Sequence, residues 1–141
     1  MANYPEFQVA PMREELVQAG FTQLMSPGEV DQALGQPGTT LLVVNSVCGC
    51  AAAGARPGVI QALRSGLRFD HLVTVFAGME TEATQRARQH FEGAAPSSPQ
   101  VALFRDGQLV HLMGRTAFLE RSPEAIAAEL PAAAQSVGLS A

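Results

Sequence analysis

Apolar and polar residues occur along the chain in blocks that predict strands and helices in turn. Apolar, β-branched runs at residues 39–45 and 71–78 are typical of strands that are buried on both faces. Shorter strand candidates occupy residues 21–25, 101–104 and 108–113. Because Asp106 and Gly107 stand between the last two apolar runs, these runs are predicted to form a hairpin.

Helices are predicted between the strands by apolar spacings of three and four residues and by capping residues. The predicted helices occupy residues 11–20, 26–35, a segment containing Val59 to Leu67, 81–93 and 122–130. Ser26 and Glu29 form a capping box, and Thr81 is the expected cap of the fourth helix. Pro57 should kink the third helix near its start, and Pro131 should end or bend the last.

The order of these elements predicts an α/β fold. Strands that alternate with helices pair in parallel, and the closing hairpin adds antiparallel strands. The result is a central mixed β-sheet flanked by helices on both faces. A length of 141 residues without internal repeats or a linker predicts a single domain over residues 1–141.

Composition narrows the class of protein. The chain is 47% hydrophobic and 16% charged, which fits a globular protein rather than a disordered one. A net charge of −4 gives no reason to expect nucleic acid or an anionic membrane as a partner. No apolar run reaches about 18 residues, and the N-terminus lacks the basic and apolar blocks of a secretory signal. We therefore expect a cytoplasmic protein.

The two cysteines, Cys48 and Cys50, are separated by one glycine at the end of a predicted strand. They close too short a loop to tie the fold together, which favours a chemical role. A helix N-terminus after Cys48 would favour its thiolate, so Cys48 is the expected nucleophile and Cys50 the resolving thiol. Gly49 tolerates unusual backbone angles, and a disulfide across so short a spacing would be strained and easily reduced.

Two other interpretations of the cysteines remain open. Both could be small buried apolar residues without a chemical role. Both could also bind a metal, but zinc usually takes four ligands, and His71, His90 and His111 lack a matching spacing. We therefore predict no metal site.

The segment Ser97-Ser98-Pro99 precedes the predicted hairpin. A proline before a strand is commonly just the end of a loop. After a strand-to-helix turn that carries cysteines, it is also a candidate for a cis-proline facing the thiols.

The same residues resemble a known family. The element order, the cysteine turn and the proline before the hairpin are similar to the thioredoxin fold. The closest resemblance is to the bacilliredoxins, and it extends from about Pro11 to Glu129. It is carried by the strings "NSVCGCAAAGARPG", "SSPQVALFRDGQLVHLMGR" and "PMREELVQAGFTQL".

This resemblance implies a thiol–disulfide oxidoreductase that acts on S-bacillithiolated client proteins. Cys48 would attack the mixed disulfide and take the bacillithiol, and Cys50 or a second bacillithiol would discharge it. Bacillithiol would thus be a thiol co-substrate, with no tightly bound cofactor. A bacillithiol disulfide reductase is a further expected partner.

The resemblance also implies a set of binding residues around the thiols. Pro99 would be the cis-proline, and Ser98 would offer backbone contacts to the client. Gly49 and Arg56 complete the set. Arg56 would orient an anionic thiol cofactor, although a solvated surface arginine explains it equally well.

The chain departs from the family pattern in two places. Some members carry a third cysteine near the C-terminus, and this chain has none there. The family often has a histidine where this chain has Thr116, while the preceding Arg115 is retained.

Three alternative functions stay open. The protein could be a general weak disulfide reductase or isomerase that does not need bacillithiol. It could be a non-catalytic binding module with passive thiols. It could also be a metallochaperone that uses Cys48 and Cys50.

Overall fold

Five strands form a central mixed sheet in the computed structural model, which describes residues 4–91 and 93–138. The strands are β1 (Thr22–Gln23), β2 (Thr39–Asn45), β3 (His71–Phe76), β4 (Gln100–Arg105) and β5 (Gln108–Met113). Their order across the sheet is β1-β3-β2-β4-β5. β3 pairs in parallel with β1 and β2, whereas β4 pairs antiparallel with β2 and β5. The predicted mixed sheet and its closing hairpin are confirmed.

Helices cover both faces of this sheet, as the order of elements predicts. They are α1 (Glu6–Val17), α2 (Pro27–Leu34), α3 (Arg56–Arg64), α4 (Thr81–Gln89) and α5 (Pro123–Ser136). Alternate residues of β2 point to opposite faces. Leu41 and Val43 pack in a core with residues of α1, α3 and α5, whereas Leu42 and Val44 pack with α2 and α4. No helix in the described part of the chain is long and apolar enough to cross a membrane.

The first helix begins at Glu6, and not near Pro11 as predicted. The extra turn is held by the buried side chain of Val9 and by the bond from Arg13 Nε to Glu6, at 3.0 Å. Pro11 lies on the exposed side together with Phe7, so water can bond the Phe7 carbonyl that Pro11 leaves without a donor.

Two other predicted helix ends were wrong. Pro131 neither ends nor visibly interrupts the last helix, which runs on to Ser136, because Leu130 and Ala134 are both fully buried on its inner face. Thr81 is the first residue of α4 rather than its cap, since Glu80 occupies the cap position. This helix ends at Gln89, before the predicted Gly93, and Glu92 lies outside the described residues.

Candidate active site

The two cysteines lie where β2 gives way to a helical segment. The Cys48 carbonyl accepts the N–H groups of Ala51 and Ala52 at 3.0 and 3.2 Å. The Cys48 Sγ accepts the N–H of Cys50 at 3.3 Å. The Cys48 thiol therefore caps the start of the helical segment, as a serine or aspartate side chain usually does. Both cysteines are free, partly exposed thiols.

A π turn over Ala51–Ala55 follows the cysteines and leads into α3. The Arg56 N–H donates to the Ala51 carbonyl, which is five residues earlier instead of the four of an α-helix. The sequence predicts a kink near Pro57, and the structure has this π turn just before it. Pro57 has no N–H to offer the preceding turn, so the usual helical ladder is interrupted here.

Arg56 is buried behind this turn, with only 3% of its surface exposed. Its Nε donates to Glu15 at 2.8 Å, and its Nη1 donates to Asn45 Oδ1 at 2.8 Å and to the Ser46 carbonyl at 2.9 Å. The interpretation of Arg56 as a solvated surface residue is therefore wrong. The guanidinium holds the turn in place, and a direct contact with a thiol co-substrate stays a prediction.

Asn45 and Ser46 connect Arg56 to the nucleophile. Asn45 Oδ1 also accepts the Ser46 N–H at 2.9 Å, and its Nδ2 donates to the Met12 carbonyl at 3.1 Å. The Ser46 Oγ accepts the Cys48 N–H at 3.3 Å. Sequence reasoning gave these two residues no role, although a polar residue at the end of an apolar strand was the available signal.

The Ser98–Pro99 peptide bond is cis, as predicted. Gln100, which follows it, pairs with Val44 of β2 in an antiparallel register. Ser98 and Pro99 directly precede Gln100, so they approach the carboxyl end of β2. The chain runs from this end of β2 to Cys48.

Ser97 anchors the start of this segment to two other parts of the chain. Its carbonyl accepts Arg88 Nη2 of α4 at 2.6 Å, and its Oγ accepts the Arg115 N–H at 3.2 Å. Gly114 lies so close that a side-chain carbon there would stand 3.3 Å from Ser97 Oγ. The segments around Ser97 and Arg115 therefore form one connected border of the site, which sequence reasoning did not find.

Arg115 brings a positive charge to the thiols. Hydrogen bonding of its side chain to Cys50, together with the negative charge available to both thiols, raises the pKa of Arg115. The sequence singled out Arg115 only as a residue retained from the family pattern. Its electrostatic effect on the cysteines depends on how the hairpin folds onto the sheet, which the local sequence does not show.

The surroundings of Cys48 favour its thiolate. Partial burial acts to raise the pKa of Cys48, but hydrogen bonds from the backbone and thiol of Cys50 oppose this effect. The N–H of Ala51 and the charge of Arg115 act in the same direction as Cys50, and the net result is a lowered pKa of Cys48. This thiol is thus suited to attack a disulfide near neutral pH.

We expect alkylation of Cys48 by iodoacetamide to have its pH midpoint below about 8.5, the value of an ordinary thiol. The deprotonated form is the reactive one, so the rate should fall only as the pH drops through the lowered pKa of Cys48. The measurement is the rate at Cys48 against pH, followed by mass spectrometry of its peptide. A midpoint at or above that of a cysteine in an unstructured peptide would contradict the prediction.

The histidines are placed apart from one another. His71 begins β3, at the end of the sheet opposite to Cys48, and His90 contacts Asp31 at 3.0 Å. His111 lies opposite Leu103 in the hairpin. Within residues 4–91 and 93–138, no three His, Cys, Asp or Glu side chains come together as a potential metal site.

Solved structures support the fold. The chain is similar to a variant of the thioredoxin of Halobacterium salinarum, with a TM-score of 0.54 and 16% identity, over 81% of this chain and 90% of that one. Thioredoxin O2 of Arabidopsis thaliana gives a TM-score of 0.54 and 13% identity, over 84% and 95% of the two chains. The architecture is thus the predicted thioredoxin fold.

Other proteins are much more similar to this chain in sequence than these two thioredoxins are. A family described as "Disulphide isomerase" matches residues 4–137. A bacilliredoxin of Salinibacter ruber is 51% identical over 94% of this chain and 78% of its own length. A bacilliredoxin of Cytophaga hutchinsonii is 49% identical over 90% and 94% of the two chains. The chain therefore belongs to the bacilliredoxin family and is an oxidoreductase of thiols and disulfides.

Proposed function

We propose that the protein removes bacillithiol from S-bacillithiolated proteins by attack of Cys48. The observation that carries this proposal is the hydrogen bond that the Cys48 Sγ accepts from the Cys50 N–H at 3.3 Å, and the charge of Arg115 adds to it by lowering the pKa of Cys48. Both groups stabilise a thiolate, the species that attacks disulfides. We expect the reaction in the cytoplasm, where thiols are kept reduced.

The first step exchanges one disulfide for another. The Cys48 thiolate attacks the bacillithiol sulfur of the client's mixed disulfide. A bond forms between Cys48 Sγ and that sulfur, the bond to the client breaks, and the client cysteine leaves as a thiolate that takes up a proton. The enzyme then carries bacillithiol on Cys48.

The second step discharges the enzyme. The Cys50 thiolate attacks Cys48 Sγ, so that a Cys48–Cys50 disulfide forms and bacillithiol leaves as a thiol. A second bacillithiol can instead attack the bound bacillithiol, which frees Cys48 and produces bacillithiol disulfide. The first route leaves an oxidised enzyme that two electrons from an external thiol must reduce, and the second leaves a product for a bacillithiol disulfide reductase.

The client would lie along the segment beside the thiols. Ser98 precedes the cis bond to Pro99 and is half-buried, whereas Pro99 is buried, so we expect the backbone of Ser98 to meet an extended client chain. Gly49 is exposed between the cysteines, with no atom within 4 Å of the place where a side-chain carbon would stand. The missing side chain leaves room for the client to approach both sulfurs.

General disulfide reduction or isomerisation is the second candidate function. It is favoured by the description of the matching family, "Disulphide isomerase". An enzyme of this kind would act on ordinary protein disulfides with the same Cys48 and Cys50 chemistry and would not need bacillithiol.

The test mixes the Cys50→Ser variant with a client protein capped by bacillithiol and records intact masses. Without the resolving thiol, the first step should stop at the mixed disulfide, so the variant should gain the mass of one bacillithiol at Cys48. The client should lose the same mass. Wild-type protein and the same client capped by glutathione are the matched controls.

Transfer from the bacillithiol-capped client in clear preference to the glutathione-capped one would support the proposal. No mass gain, together with reduction of ordinary protein disulfides by the wild type, would replace it with the second candidate.

A further inference from the structure

A buried network of hydrogen bonds connects the first helix to Cys48. It begins at Glu15 of α1, which accepts Arg56 Nε at 2.8 Å, and continues from Arg56 Nη1 to Asn45 Oδ1 at 2.8 Å. It ends where Ser46 Oγ accepts the Cys48 N–H at 3.3 Å. Arg56, Asn45 and Ser46 are only 3%, 2% and 5% exposed, so water cannot readily replace a bond that is broken between them. These three residues and Glu15 form the Cys48 clamp.

Ser46 is held on both sides of its own α-carbon. Its N–H donates to Asn45 Oδ1 at 2.9 Å, and its carbonyl accepts Arg56 Nη1 at 2.9 Å. Asn45 is itself fixed by its Nδ2, which donates to the Met12 carbonyl of α1 at 3.1 Å. The backbone of Ser46 is thus fixed on the sheet and on two helices, and its hydroxyl is presented to the Cys48 N–H at a set position.

The cysteine turn depends on this support because its own backbone is weakly restricted. Gly49 is exposed, and no atom lies within 4 Å of the place where a side-chain carbon would stand. Glycine restricts its backbone less than any other residue. The bond from the Cys50 N–H to the Cys48 Sγ, at 3.3 Å, spans this glycine. Whether the N–H reaches the sulfur therefore depends on the residues that hold Cys48 from the strand side.

We infer that Arg56 is a positioning residue, which acts through Asn45 and Ser46 to hold Cys48 in place for attack. This inference deepens the proposed function and rests on it only for the role of Cys48 as the nucleophile. Within residues 4–91 and 93–138, every hydrogen bond of the guanidinium goes to another member of the clamp. Direct contact with the thiol co-substrate, the role that the family resemblance implies, is the alternative.

The two roles predict different patterns of loss. A residue that holds Cys48 changes its rate with every electrophile by the same factor at a given pH, because the sulfur itself is altered. A residue that binds the co-substrate changes only the reactions in which that co-substrate takes part. Iodoacetamide is small and neutral, so its rate reports the first effect without the second.

The experiment measures the rate at Cys48 of full-length Arg56→Lys and Ser46→Ala with three reagents. These are iodoacetamide, a client capped by bacillithiol and the same client capped by glutathione. A lysine keeps the positive charge but lacks the fork that reaches Glu15 and Asn45 at once. In each variant all three rates should fall by the same factor, about two- to tenfold, which is the range for one lost hydrogen bond.

Glu15→Gln loosens Arg56 from the other end, at a partly exposed position where the fold tolerates the change more easily. It should lower the three rates by a smaller common factor. A fall confined to the bacillithiol-capped client, or iodoacetamide rates that stay unchanged in these variants, would overturn the inference.

A double variant shows whether Arg56 acts through Ser46. If it does, Arg56→Lys combined with Ser46→Ala should lower the iodoacetamide rate no further than the more severe single variant, since both break the same connection. Two factors that multiply in the double variant would mean independent effects and would overturn the inference.

Two controls separate positioning from loss of stability. Ser65→Ala removes an exposed hydroxyl that donates to the Gln61 carbonyl just after α3, and its rates should equal those of the wild type. Val30→Ala removes buried carbons from the core under α2 and α4, so it should lower the urea midpoint and leave the rate at Cys48 unchanged. An equal fall in Val30→Ala would show that instability alone lowers the rate and would overturn the inference.

The inference and the proposed function fail separately. Iodoacetamide needs no disulfide, so its rate tests the Cys48 clamp even if the wild type takes no bacillithiol. In that case the proposed function fails and the inference stands. Transfer of bacillithiol by the wild type, together with an iodoacetamide rate that Arg56→Lys leaves unchanged, would overturn the inference alone.

Discussion

Replacement of Cys48 by serine is expected to lower the rate of bacillithiol release by at least roughly a thousandfold, because the variant lacks the attacking thiolate. A serine hydroxyl stays protonated at neutral pH, and the hydrogen bonds that the Cys48 Sγ receives cannot change this. The measurement is the appearance of the client's free thiol in a single turnover, with enzyme in excess over capped client.

Cys50→Ser is the matched control for this variant, since it removes a sulfur of the same turn. Its single-turnover rate should stay within about tenfold of the wild type, because Cys50 acts on Cys48 through hydrogen bonds and not as the attacking group. Its later turnovers should stop unless free bacillithiol is added. Equal losses in the two variants would contradict the assigned order of attack.

Replacement of Gly58 by alanine is expected to lower the free energy of unfolding by about 3 kcal/mol, the upper part of the range for overpacked cores. Gly58 is where α3 meets α5. A side-chain carbon there would stand 2.6 Å from Ile126 Cγ2 and 2.7 Å from its Cβ, so the two helices would have to move apart. The measurement is the urea midpoint and slope of the wild type and the variant.

The control is Gly28→Ala, which places the same methyl group on another helix. No atom lies within 4 Å of a side-chain carbon at Gly28, and its φ is not positive. Its free energy of unfolding should therefore be unchanged or slightly raised, by less than about 1 kcal/mol. A loss at Gly58 no larger than at Gly28 would show that α3 and α5 can separate without cost.

The parts of the fold that sequence predicts well are those decided by local pattern. The apolar run of β2 and the turn at Asp106 and Gly107 predict their elements because each depends on neighbours in the chain. Helix ends near proline are predicted poorly. Pro11 and Pro131 both lie inside helices, since burial of distant side chains outweighs the loss of one hydrogen bond.

The residues of the active site likewise divide into those that local sequence predicts and those that depend on contacts between distant parts of the chain. The position of Cys48 at the start of a helical segment and the cis bond before Pro99 follow from local pattern and from the family resemblance. The role of Arg115 and the burial of Arg56 do not, because each depends on elements far apart in the chain. The sequence does not show whether a charged side chain will contact water, a carboxylate or a thiol.

The packing of α3 on α5 can form only late in synthesis, because α5 is made long after α3. Cys48 and Cys50 precede Arg115 and the helix Pro123–Ser136 by a long stretch of chain. A ribosome that adds roughly 5–20 residues per second leaves the two cysteines for several seconds without these later residues. In this interval the nascent chain carries two thiols without the Arg115 charge. The charge of Arg115 can lower the pKa of Cys48 only after this later segment has been made and has folded against the site.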